Sequence, residues 1–167
     1  MSSKESDSRA QARLAARLAA VQGLYQMEMV GGGAEEVAQE FVEHRFSELQ
    51  SIAGLPAPDE EFFTGILTGV PQHQVEIDRA IAGSLSEKWK LERVDSILRA
   101  ILRCAVFELI ARRDVPAKVV IDEYVAVAGA FFGADEPGFV NAALDTIAKR
   151  KRASEFGLPT PDGELEF

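Results

Sequence analysis

The sequence holds little from which a catalytic or metal centre could be built. It has one cysteine, Cys104, two histidines, His44 and His73, and one tryptophan among 167 residues. A single cysteine excludes an internal disulfide and any cysteine-rich zinc site. The histidines stand in polar surroundings, without a cysteine or carboxylate set at ligand spacing, so neither metal ligation nor nucleophilic catalysis is expected of them. Cys104 falls in an apolar helix stripe and reads as a small hydrophobe. Long apolar runs are also missing. The longest charge-free stretch, Phe62 to Val75, contains Pro71 and His73 and falls short of the ~20 apolar residues of a membrane span. The opening residues show no apolar signal region, so a cytoplasmic protein is expected, with no secretory signal and no membrane partner. Gly31–Gly33 lacks the following Lys-Ser/Thr of a phosphate loop, and no strand precedes it. Asp122 and Glu123 are adjacent, hence about 100° apart on a helix, and are not a hydrolase pair. No catalytic residue, cofactor or metal site is expected, and the reading is of a non-enzyme.

What the sequence does have is apolar periodicity and uneven charge. Hydrophobic residues make up 47%, enough for a real core, and the net charge is −9. Residues 1–27 carry +2, 28–70 carry −8, 71–148 carry −3, Lys149 to Arg152 carry +4 and 153–167 carry −4. An acidic chain with two compact basic patches is unlike a generic nucleic-acid binder, which is basic throughout. It suits a local anion site, with the acidic surface discouraging indiscriminate binding. The plain alternative is that both patches are solvated helix ends.

Helical signals dominate. Leu14, Leu18, Val21 and Tyr25 mark a stripe on a first helix from Ser8 to about Met29, ended by Gly31–Gly33. A second helix is expected from Ala34 to Ile52, with Val37, Phe41, Phe46 and Leu49 inward. A third is expected after the N-cap Asp59, with Pro71 kinking or restarting it. Gly65 and Gly69 suggest close helix packing. Ser86 to Lys90 reads as a short helical turn bearing Trp89. The strongest helix is expected from Glu92 to Arg112, with i,i+4 pairs Asp95–Arg99 and Glu108–Arg112. Two more follow: one started by Pro116 with Val119, Val120, Tyr124, Val127 and Phe131 inward, and one begun near Asp135 with Phe139, Val140, Leu144 and Ile147 inward. The expected fold is all-α, about seven helices in two packed three-helix-type bundles, residues 1–83 and 84–152, with 153–167 a loose acidic tail.

Arg9, Arg13 and Arg17 recur every fourth residue, within an arc of about 80° and ~6 Å apart along the axis. Three guanidinium groups at that spacing match the phosphates of an extended strand, and no acid lies between Asp7 and Glu28 to neutralise them. Three phosphate contacts would give a log–log salt slope near −2 on single strands. The segment FFGADEPGFVN supplies Phe131, Phe132, Phe139 and Asn141, which can stack unpaired bases and read a base edge. Alternatively the three Phe belong to the core and Asn141 faces solvent. Asp135 would lie near the bound strand and repel it.

Three blocks then carry a resemblance: RLAAVQGLY from Arg17 to Tyr25, ERVDSILRAILRCAVFELIARRDVPAKVVIDEYVAVAGAFF from Glu92 to Phe132, and GFVNAALDTIA from Gly138 to Ala148. Within them Leu102, Arg103, Ala105, Phe107, Glu108 and Leu109 match an LR-x-A-x-[YF]-EL core, Pro116 to Glu123 a VP-x-KV-x-I-[DN]-E segment, and Phe139 to Asp145 an FVN-x-x-LD segment. The sequence resembles the NusB transcription antitermination factors of bacteria. Residues 30–85 match weakly, mostly by pattern.

The resemblance implies two helical bundles. It also implies binding of single-stranded boxA RNA of ribosomal RNA leader transcripts together with the ribosomal protein NusE, in an RNA polymerase antitermination complex with other Nus factors. By the same resemblance the arginine-rich start corresponds to Arg13 and Arg17, although Leu14 and Ala15 stand where some relatives have further arginines, and Arg9 lies one turn earlier. The aromatic RNA-contact positions fall on Phe131 and Phe139. Tyr25 matches a position near the ribosomal-protein interface, and Arg99 is grouped with it as a partner-binding candidate. Two other readings remain open: a stand-alone RNA-binding domain like that fused to ribosomal RNA cytosine methyltransferases, and a homodimeric helical adaptor using the Phe-rich region.

Overall fold

A computed structural model describes residues 3–85, 91 and 94–159. Every regular element among them is helical, as expected, and they fall into two compact units, Met1–Gln72 and His73–Phe167.

The first unit begins with α1 (Ser3–Val30), which stops where Gly31 and Gly32 take φ of 91° and 107°. That left-handed backbone suits glycine and disfavours any side chain. There follow α2 (Ala34–Glu40), a π-helical turn (Phe41–Arg45) and α3 (Phe46–Ala53), one continuous helical stretch, and then α4 (Glu60–Gln72). The π turn has a packing reason. Residues five apart on an α-helix point about 140° apart, yet Phe41 and Phe46 both meet Phe63, at centroid distances of 5.8 and 5.0 Å. The wider turn rotates both rings onto one face. Asp59 starts α4 as expected, accepting the Phe62 N–H at 3.0 Å, while its own N–H donates to the Ala12 carbonyl at 3.0 Å and ties this corner to α1.

The expected close packing at Gly65 is absent, since that position is exposed and open. The close approach occurs at Gly23 of α1, where an added Cβ would lie 3.1 Å from Leu67 Cδ1 of α4.

The second unit contains α5 (Gln74–Ser84), α6 (Ser96–Ala111), α7 (Ala117–Phe131), α8 (Asp135–Lys151) and a 3-10 turn (Ala153–Phe156). The expected boundary at Gly83-Ser84 therefore moves to His73. Pro71 closes α4, the helix restarts at Gln74, and α5 packs on α6 and α8. Arg103 donates Nε and Nη2 to Asp78 Oδ1 and Oδ2 at 2.9 and 3.1 Å, a bidentate pair joining α6 to α5. Asp95 caps α6 by accepting the Ile97 and Leu98 N–H groups. The core takes Leu102, Cys104, Val106 and Leu109 from α6, Val120 and Tyr124 from α7, and Val140, Leu144 and Ile147 from α8. Val119, expected inward, is exposed. The turn at Ser86–Lys90 with Trp89 lies outside the described residues.

The tail expectation also changes. Residues 153–156 are folded and Ala153 is buried, because the turn holds Glu155 against the start of α7: Glu155 Oε1 accepts the Ala117 N–H at 2.9 Å.

Candidate nucleic-acid interface

Along α1 the three arginines differ in kind. Arg9 is exposed, Arg13 is half-buried, and Arg17 is enclosed at 2% exposure. The guanidinium carbons of Arg13 and Arg17 stand 4.6 and 4.8 Å from the centroid of the Phe62 ring on α4. Such cation–π contacts contribute about 0.5–1 kcal/mol when exposed and ~2 kcal/mol when desolvated, so the Arg17 contact belongs at the upper end. The Nε of Arg13 is buried and has no hydrogen-bond partner among the described residues. The expected ladder of three accessible charges is thus corrected to two. The cause is visible around Arg17, where every position from Ala15 to Val21 is buried. Alanines at 15, 16, 19 and 20 let neighbours close in all round. That run of small residues was the available signal; reading a single stripe from Leu14 to Tyr25 missed it.

In the second unit the structure gathers the other candidates at the α7–α8 connection. Phe131, Phe132 and Phe139 are half-buried, neither core nor fully open, and Asn141 is exposed. Asp135 and Glu136 occupy the first turn of α8, where negative charge complements the helix dipole. Tyr25 is 37% exposed and continues into the exposed Met29 and Val30, an apolar patch at the end of α1. Arg99 donates Nη1 to the carbonyls of Val94 at 2.8 Å and Leu91 at 3.4 Å, tying down the approach to α6.

The basic run at 149–152, whose role the sequence left open, is tethered within its own unit. Lys149 pairs with Asp145 at 2.9 Å, Arg150 donates to the Gly83 carbonyl at 3.1 Å, and Lys151 lies 4.0 Å from Glu76. Arg152 is 1% exposed. Its Nε donates to Leu109 O at 2.7 Å, its Nη2 to Glu108 O at 3.2 Å and Arg112 O at 2.9 Å, and its Nη1 to Val115 O at 2.9 Å and Glu155 Oε2 at 2.7 Å. All five guanidinium donors are used, closing the carbonyl end of α6. Partial burial works against ionisation of Glu155, but the Ala117 N–H, the Arg152 hydrogen bond and the charges of Arg152 and Arg113 prevail and lower its pKa.

The residues that carried the resemblance are largely structural in the same way. Buried Glu108 accepts the hydroxyl of buried Tyr124, and Arg112, expected to pair with Glu108, forms a bidentate bond with Asp114. Cys104 is enclosed, and burial pushes its thiol far above the ordinary range, as suits an inert packing residue. His73 sets its ring edge-on to Phe107 with centroids 5.7 Å apart, and His44 lies beside Glu43 at 3.8 Å. No group of three or more His, Cys, Asp or Glu suited to a metal occurs among the described residues, nor does a helix long and apolar enough to cross a membrane.

The chain matches the NusB family over residues 14–149. The chain belongs to this family. The transcription antitermination protein NusB of Maricaulis maris is 52% identical over 156 residues, covering 92% of this chain and 98% of that protein. Among solved structures, NusB of T. maritima aligns with a TM-score of 0.64 at 30% identity, over 87% of this chain and 97% of that one. A chain from the structure of the antitermination factors NusB and NusE in complex with dsRNA aligns with a TM-score of 0.65 at 25% identity, over 83% of this chain and 96% of that one. The NusB match begins within α1, just after Arg13, and ends within α8, so Arg9 and the Arg152–Glu155 clasp lie outside it.

Proposed function

We propose that this NusB-family chain is an RNA-binding transcription antitermination factor of the cytoplasm. In this reading it binds boxA-type RNA of ribosomal RNA leader transcripts together with a NusE-type ribosomal protein, within an RNA polymerase antitermination complex. It acts by holding RNA and protein, with no bond-breaking step. The observation that carries the reading is the likeness to a chain of the structure that holds the antitermination factors NusB and NusE in complex with double-stranded RNA. The residues add a chemical rationale. Arg9 and Arg13 offer charge to phosphates, Phe131 and Phe139 offer ring faces to bases, and Asn141 offers an amide to a base edge. Tyr25, with its apolar neighbours, is the protein-contacting candidate. Arg99 is assigned a lesser share, because two of its hydrogen bonds are internal.

The test is a titration of labelled single-stranded boxA RNA, with and without the ribosomal protein and against a double-stranded competitor. Tight binding that needs both proteins supports the reading. Equal, weak binding to any RNA overturns it. With two accessible arginines on α1, changing both Arg9 and Arg13 to Gln should flatten the log–log salt slope by about 1.4, from ~0.7 per phosphate. A further fall of about 0.7 on changing Arg17 to Gln as well would mean that the enclosed Arg17 also reaches RNA.

A further inference from the structure

The contact of α1 with the first turn of α4 has a feature that charge alone does not explain. Arg13 and Arg17, one turn apart, lie against the same Phe62 ring, at 4.6 and 4.8 Å from its centroid. Arg17 and Phe62 are both buried, whereas Arg13 is half-buried and reaches the surface. The Nε of Arg13 is buried without a hydrogen-bond partner, so the contact with the ring, not a bond at Nε, holds its guanidinium in place. Phe62 is fixed in turn. Asp59 caps its backbone N–H, and the Asp59 N–H donates to Ala12, the residue preceding Arg13.

A free arginine loses much rotamer freedom when it grips a phosphate, and a guanidinium already held in place loses less. We propose that Phe62, steadied by the buried Arg17, is a positioning residue for RNA binding that pre-orients the Arg13 guanidinium for a phosphate. The proposal rests on the reading that α1 binds RNA, and it separates the arginines into one that touches RNA and one that holds the platform.

The experiment measures affinity for the boxA oligonucleotide at several salt concentrations, with the ribosomal protein saturating, for Arg13→Gln, Arg13→Lys, Phe62→Leu, Phe62→Tyr and the Arg13→Gln/Phe62→Leu pair. Thermal melts accompany each variant. Phe62→Leu should weaken binding about three- to fivefold, the range of a cation–π contact at a partly open site. Phe62→Tyr, which keeps the ring, should restore it. The paired variant should bind no worse than Arg13→Gln alone, because the ring acts only through that side chain. Arg13→Lys keeps the charge but not the planar guanidinium that lies against the ring, and should lose most of what Arg13→Gln loses.

If Arg13→Lys binds like the unaltered protein, or if the two losses add, the positioning role is overturned even where RNA binding stands. The Arg13→Lys arm decides alone if Phe62→Leu does not fold. If Arg13→Gln leaves affinity and salt slope unchanged, the placement of RNA on α1 fails first and takes this inference with it.

Discussion

Arg17 illustrates how one side chain can satisfy a sequence pattern and not the role that the pattern suggests. At 2% exposure its long stem and guanidinium are part of the packing between α1 and α4. Arg17→Ala should therefore destabilise the protein by about 2–4 kcal/mol, through lost packing and a lost desolvated ring contact, measured by urea unfolding. Arg9→Gln, on the exposed turn, should leave the melt within about 0.5 kcal/mol while weakening RNA binding. The spacing of the arginines was legible in the sequence, because helical period dictates it. Their depth was not, because that depends on which neighbours the alanines admit. Asp135 poses the opposite case. It is exposed in the first turn of α8, where its charge favours the helix but repels a nearby phosphate. Asp135→Asn should tighten RNA binding modestly in a gel-shift series while costing about 0.3–1 kcal/mol of stability. Unchanged or weaker binding would remove Asp135 from the neighbourhood of the strand.

At the scale of elements, periodicity and capping located most helices: Asp59 caps α4 as its position implied and the glycines after Val30 stop α1, whereas Asp95, expected inside the helix as a partner of Arg99, caps α6. The π turn was not legible, since it answers to the demand that Phe41 and Phe46 share Phe63. The Arg152–Glu155 clasp was equally hidden, because a basic run at a helix end looks alike whether solvated or enclosed. Arg152 closes the end of α6 and Glu155 opens α7, so one ion pair fastens both sides of their connection. Glu155 has its pKa lowered from 4.5 in the folded state. A carboxylate of depressed pKa adds stability that is fully present above its unfolded value and is lost as pH falls through the folded one. Stability curves of the unaltered protein and Glu155→Gln should thus differ at neutral pH and converge below about pH 4.5. A constant gap down to strongly acid solution would show that the carboxylate charge is not what holds the turn.

For the whole molecule, the all-helical architecture and its two units were readable, while the division at His73 was not. Gly83-Ser84 had the composition of a boundary, but Asp78–Arg103 and the Arg150 bond to Gly83 attach α5 to the C-terminal helices. Charge is partitioned accordingly: an acidic chain of net −9 whose accessible cations on α1 are few, with the members of the other basic cluster each paired within their own unit and Arg152 enclosed. The acidic surface should therefore keep affinity for generic polyanions low, and selectivity should depend on a handful of contacts.

The clasp also has a practical consequence for anyone shortening this polypeptide. A protein ended at residue 149, the last residue of the NusB family match, would lack Arg152 and Glu155 and leave carbonyls of α6 and the first amide of α7 without these partners. Ended at residue 159 it would keep them. The shorter version should unfold at a distinctly lower temperature than the longer one, though the two differ by only about ten residues at one extremity.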